Sequence, residues 1–199
     1  MSSVSETIVR EYFELHEFLV RQHRKYIVQT KRDEDDIDFF VFNPHPTKSS
    51  TPLPFVLNSA DLMRVERAIV VVKGWHTETF SQAVLMNAPE IFRFVEAATF
   101  KQAAKAFGEE GTPLKILVVP ALPHSAEGRE QSVALLRAKG IDAVISFRTM
   151  LAEIIEKTET NRNYQKSDLL QVIRILKNYE FFKEPQMELF KSRKSKRAS

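Results

Sequence analysis

Asp38 and Lys73 are the two residues whose types and setting bear most directly on chemistry. Asp38 lies near the start of "IDFFVFN", a stretch rich in aromatic and β-branched residues. Lys73 closes the apolar run in "RAIVVVKGWHT", where it is followed by a glycine, the single tryptophan and His76. Both stretches read as strands. Side chains alternate along a strand, so Asp38, Phe40 and Phe42 share one face of the first, together with Asp36 if the strand reaches back that far. Val71 and Lys73 share one face of the second. The acid and the lysine are thus placed to converge on one side of a sheet. Such a pair either belongs to a metal-assisted site or does ordinary duty, the acid as a strand-end partner of a base and the lysine as a solvated edge residue.

Other chemistries find little footing. The chain has 199 residues, five glycines and no cysteine, which removes disulfides, thiolate metal sites and a cysteine nucleophile. No glycine-rich phosphate loop of either common spacing occurs, nor a G-x-S-x-G elbow. His16, His23, His45, His76 and His124 are scattered, with no H-x-x-x-H pair for zinc.

The elements that would position the pair follow from periodicity. Residues 4–23 read as an amphipathic helix on Ile8, Tyr12, Leu15 and Leu19, with Ser3 and Glu6 spaced as a capping box. "KYIVQT" reads as a first strand, "KRDEDD" as a charged turn and residues 37–43 as a second strand. Four prolines make residues 44–58 a long surface loop, and Ser59 or Asp61 starts a short helical turn through Arg64. "RAIVVVKG" is a buried strand. Pro89 is placed at the first turn of a helix reaching about Phe107. "LKILVVPAL" is a further strand, followed by a helix capped by Ser125 and stopped at Gly140, then "DAVISF" as a strand. A helix to about Lys157, a loop, and a helix opened by Ser167 complete the order α-β-β-β-α-β-α-β-α-α. The expected fold is a single α/β domain with a central mixed sheet flanked by helices, spanning residues 1–182.

This order, with an acid on the second strand and a lysine at the end of the third, resembles the PD-(D/E)XK, or restriction-endonuclease-like, superfamily. The resemblance covers about residues 5–157, with 158–182 as a helical extension. It implies that Asp38 stands for the first acid and Lys73 for the lysine that orients or activates a water. In active members two carboxylates hold one or two Mg²⁺ ions, hard cations that prefer oxygen ligands and polarise a phosphoryl oxygen. The second acid is expected at position 71, which is Val71. Either the carboxylate has migrated, to Glu78, Glu90, Glu96, Glu14 or Glu17, or the site is degenerate. The resemblance therefore favours a noncatalytic nuclease-like protein, kept as a nucleic-acid-associated or protein-interaction module. An active metal-dependent nuclease with a migrated acid, needing Mg²⁺ or Mn²⁺ with Asp38 as a ligand, is the second reading. A structural or regulatory homo-oligomer is the third.

Charge says where nucleic acid would be met. The net charge is +3, but the tail "KSRKSKRAS" alone holds five positive charges, so the remaining residues sit at −2. Residues 183–199 read as a disordered basic tail, either a solubilising terminus or a contact for nucleic acid. Lys191, Arg193 and Lys194 are its candidate phosphate contacts. Arg21, Arg24 and Lys25 are a second set, at the expected end of the first helix, where positive charge also suits the helix dipole. No apolar run reaches the length of a membrane span and the first residues do not form a signal peptide, which points to the cytoplasm. DNA or RNA, and a second copy of the chain through the C-terminal helices, are the expected partners. No nucleotide cofactor is expected.

Overall fold

The computed structural model describes residues 3–22, 37–108 and 111–182. The chain divides into two compact units, residues 1–155 and residues 156–199. The first unit is an α/β fold around a five-stranded mixed sheet. Its strands are β1 (Leu19–Gln22), β2 (Phe39–Phe42), β3 (Arg67–Val72), β4 (Leu114–Val119) and β5 (Ala143–Ser146), lying side by side in chain order. β1, β2 and β3 are antiparallel neighbours, whereas β3, β4 and β5 run parallel. Parallel strands need crossovers. These are supplied between β3 and β4 by α2 (Gln82–Met86) and α3 (Ala97–Ala104), and between β4 and β5 by α4 (Ala126–Ala138).

The two faces of the sheet have different covers. Phe40, Ile69, Val71, Leu117 and Val144 form one face and pack with Phe80, Leu85, Ile91, Phe94 and Leu136 from the crossovers. Val70, Val72, Ile116, Val118 and Ile145 alternate to the other face, also buried. There lie α1 (Ser3–Leu15), with Val9, Tyr12 and Phe13 fully buried, and α5 (Phe147–Lys157), with Phe147, Met150 and Ile154 buried. A part-buried hydrogen bond of 3.0 Å between His16 Nε2 and Glu153 Oε2 ties the two helices together.

The first helix is shorter than its periodicity predicts. It ends at Leu15, and Leu19, expected on its buried stripe, lies 64% exposed on β1. The stop is a Schellman turn. Glu17 adopts φ 62°, its N–H donates to Glu14 O, and Phe18 N–H reaches back to Phe13 O at 3.1 Å. Phe13 and Phe18 then meet edge to face at 5.3 Å, the apolar contact that accompanies this cap. Ser3 is itself helical, and Glu6 accepts a hydrogen bond from Gln22 Nε2, holding β1 against α1. The strand expected at 25–30 lies outside the described residues.

Three other segments refine the expectation. The proline-rich stretch is surface as far as Pro54, but Phe55 and Leu57 are buried and pair with the outer edge of β5, through Val144 N–H to Phe55 O and Leu57 N–H to Val144 O. The short turn at Ser59–Arg64 is capped by Asn58, whose side chain accepts from Asp61 N while Asp61 accepts from Asn58 N. The helix expected from Pro89 to Phe107 is broken into a 3-10 turn over Pro89–Val95, α3, and a second 3-10 turn over Lys105–Phe107.

The second unit contains α6 (Asp168–Asn178), capped by the Ser167 hydroxyl as expected. Lys177 Nζ donates to Thr158 O at 2.8 Å, and Arg174 Nε to Thr160 O at 3.0 Å, which fastens the preceding loop to the helix. Val172, Ile175, Tyr179, Phe181 and Phe182 are exposed. Among the described residues no helix is long and apolar enough to cross a membrane.

Candidate functional site

The end of the β2–β3 ladder brings together the residues that the sequence singles out. Phe39 pairs with Val70 and Phe40 with Ile69, so an unbroken ladder would set Asp38 opposite Val71. The register changes at that step. Asp38 N–H donates to Val70 O at 3.1 Å, the carbonyl of the residue paired with Phe39. Lys73 N–H turns to β4 and bonds Val118 O at 3.0 Å, which leaves Val72 N–H facing β2. A continued ladder would give that N–H the carbonyl of residue 37. It is taken instead by the Asp38 carboxylate, Oδ2 standing 2.7 Å from Val72 N. Asp38 is 6% exposed, so this bond holds a buried acid and closes the ladder with a side chain.

Val71 is fully buried, with 0% exposure, inside the apolar cluster that contains Phe80, Leu85 and Leu136. The position where the resemblance places a second carboxylate is filled by core, and it looks away from solvent. Lys73, one residue past β3, is half-buried. Beyond it the chain is pressed against the start of α1. A Cβ on Gly74 would stand 2.4 Å from Ser5 Oγ and 3.0 Å from Ser5 Cβ, so a side chain there would have to displace Ser5. Ser5 Oγ in turn hydrogen-bonds His76 Nε2 at 3.1 Å, and the His76 ring meets Phe147 edge to face at 4.6 Å. Trp75 packs on Phe80 at 5.5 Å, at the rim of the core.

The five glutamates considered as migrated acids are dispersed. Glu14 lies on α1, and partial burial holds its carboxyl above the ordinary carboxylate range, with Arg10 opposing the shift. Glu17 is the left-handed residue of the helix stop. Glu78 is exposed in the loop after Trp75, its N–H bonded to Trp75 O, and Glu90 and Glu96 are exposed on either side of the Pro89–Val95 turn. None of the five makes a side-chain hydrogen bond or an ion pair among the described residues. No group of three histidine, aspartate or glutamate side chains among the described residues is arranged to hold a metal ion. Among the described residues, Asp38 Oδ2 is engaged by a backbone N–H and position 71 is a hydrocarbon, so these two positions do not supply a carboxylate pair for Mg²⁺.

The basic candidates divide. Arg24, Lys25, Lys191, Arg193 and Lys194 lie outside the described residues. Arg21 is not at a helix end, because α1 has already stopped; it projects from β1. Its guanidinium sits 5.9 Å from the Phe40 ring centroid, and on the neighbouring β3 Arg67 sits 5.8 Å from the Phe42 ring. Arg67 also pairs with Glu66. With Phe107 and Leu19 these residues line an open hollow of about 430 Å³.

The sequence reading missed a second concavity, of about 460 Å³, beyond the carboxyl ends of β4 and β5. Its signal was present as residues of polar type around the strand ends, His124 after β4 and Ser146, Arg148 and Thr149 from the last residue of β5 onward. No protein-family model, curated protein or solved structure matches the chain.

Proposed function

We propose that the chain is a noncatalytic relative of the restriction-endonuclease-like fold that binds nucleic acid without cutting it. The observation that carries this reading is the packing of Val71. A family site needs a carboxylate there, open to a metal and a substrate, and the position is instead sealed in the core while Asp38 serves the backbone. The fold reading is supported by the order helix, strand, strand preceded by Asp38, strand followed by Lys73, helices, strand, within one mixed sheet.

Binding is supported by the arginine and aromatic surface on β1–β3. The exposed Arg21, with Arg67 beside it at the mouth of an open hollow, offers charge for phosphate. The basic tail adds sequence-independent attraction. A labelled DNA and RNA panel incubated with the full chain tests the proposal. Affinity should fall steeply with salt, and no cleavage should appear with Mg²⁺ or Mn²⁺. Cleavage that Lys73→Ala abolishes overturns the noncatalytic reading, and absence of binding at low salt overturns the nucleic-acid reading.

A further inference from the structure

The cleft at the carboxyl ends of β4 and β5 is placed by topology. In open parallel sheets a crevice opens where the connections from neighbouring strands depart to opposite faces, and ligands bind there. β4 and β5 are such a pair. β4 leads into α4, whose Leu136 packs in the cluster around Val71, whereas β5 leads into α5, which lies with α1 on the other face. Both helices begin at the cleft, which is lined by His124 and Arg129 at the start of α4 and by Ser146, Arg148 and Thr149 at the start of α5.

The chemistry of the lining is one-sided. It contains two guanidiniums, one imidazole and two hydroxyls, and no carboxylate. Glu127 and Glu130 belong to α4 but do not reach the lining. Among the described residues neither the Arg129 nor the Arg148 side chain makes an ion pair or a hydrogen bond, so both forks remain available. Ser146 Oγ is 2.9 Å from Thr149 Oγ1 and accepts from Thr149 N–H, which presents the two hydroxyls as a fixed pair. Arginine forks match phosphate oxygens, and two helix starts add a favourable dipole for an anion. The other wall is apolar, from Val56 and Leu122 among others, and the volume suits a molecule larger than the anion alone.

The geometry points to a binding site for a phosphate monoester of mononucleotide size, held at its phosphate by Arg129 and Arg148 and at its organic part by the apolar wall. The same chemistry is offered by a free nucleotide and by the 5′-phosphorylated end of a nucleic-acid strand. The site uses neither Asp38 nor Lys73, so it stands apart from the reading of the β2–β3 end.

Calorimetric titration of the full chain tests it, with AMP against adenosine, and a short oligonucleotide carrying a 5′-phosphate against the same oligonucleotide with a 5′-hydroxyl. In at least one pair the phosphorylated probe should bind about tenfold or more tightly than its partner, and Arg129→Gln and Arg148→Gln should each remove about tenfold of that affinity. Arg93→Gln, an exposed arginine outside the cleft, should leave it unchanged. AMP binding identifies the free nucleotide as ligand, and binding of the 5′-phosphorylated strand alone identifies the strand end. Equal binding within both pairs, no binding of any probe at millimolar concentration, or equal loss in Arg93→Gln overturns the assignment. Circular dichroism spectra that match the parent chain show that the variants fold.

Discussion

At the scale of single residues, Asp38 and Val71 decide how the β2–β3 end is read. Asp38 accepts the N–H that the ladder would otherwise give to a backbone carbonyl, a bond that contributes to stability. Asp38→Ala leaves a buried donor without that acceptor and should cost about 1–3 kcal/mol in urea unfolding. Asp38→Asn, whose amide oxygen still accepts, should cost less than the alanine change. An acid kept for a metal alone would show no such order. Val71→Asp places a carboxylate in a sealed apolar cluster and should lower stability by about 3 kcal/mol or more at neutral pH. A carboxylate forced into the core binds its proton to a higher pH than in the unfolded chain. The loss should therefore shrink as pH falls below that raised value, which unfolding curves at several pH values will show. The residue types of the site were legible in the sequence, including the anomaly at Val71. What was not legible is the side on which Val71 is buried and the service of Asp38 to Val72 N–H, because both depend on a register change that no local pattern encodes.

At the scale of elements, the helix stop at Glu17 shows why periodicity misjudged the first helix. Leu15 and Leu19 keep helical spacing, but the chain reverses between them, and Leu19 begins a strand. The usual marker of such a stop is glycine, since a side chain is strained at positive φ. Here glutamate occupies the position at φ 62°, and Glu180 at φ 63° does the same after α6. In both, phenylalanine follows, as Phe18 and Phe181. Glu17→Gly should stabilise the chain by about 0.5–1 kcal/mol, read as a rise of about 2 °C in thermal unfolding. The same variant tests Glu17 as a migrated acid, because it removes the carboxyl while keeping the fold. The strands β2 to β5, the helices after Ser125 and Ser167, and the stop at Gly140 were legible because each combines a clear period with a clear boundary residue. The broken segment over residues 89–107 was not, because Pro89 marks a start equally well for a 3-10 turn and an α-helix.

At the scale of the whole molecule, the sheet has two ends of differing character. The antiparallel end carries Arg21 and Arg67 beside aromatic rings, and the carboxyl ends of β4 and β5 carry a cleft with two arginines. The near-neutral charge of the chain outside its tail hides these local concentrations, of which only Arg21 was singled out from the sequence. If the β1–β3 surface contacts phosphate, Arg21→Ala should weaken DNA or RNA binding across sequences. It should also reduce the slope of log affinity against log salt by about 1, with no change in thermal stability. An unchanged slope would remove Arg21 from the interface. The central claim, binding without cleavage, is tested most directly by one reaction. The full chain is held with labelled DNA or RNA at low salt in Mn²⁺, and bound and cut fractions are read together. The expected result is retained, intact nucleic acid that is released as salt rises. Cut product that disappears in Lys73→Ala, or nucleic acid that stays unbound, would contradict it.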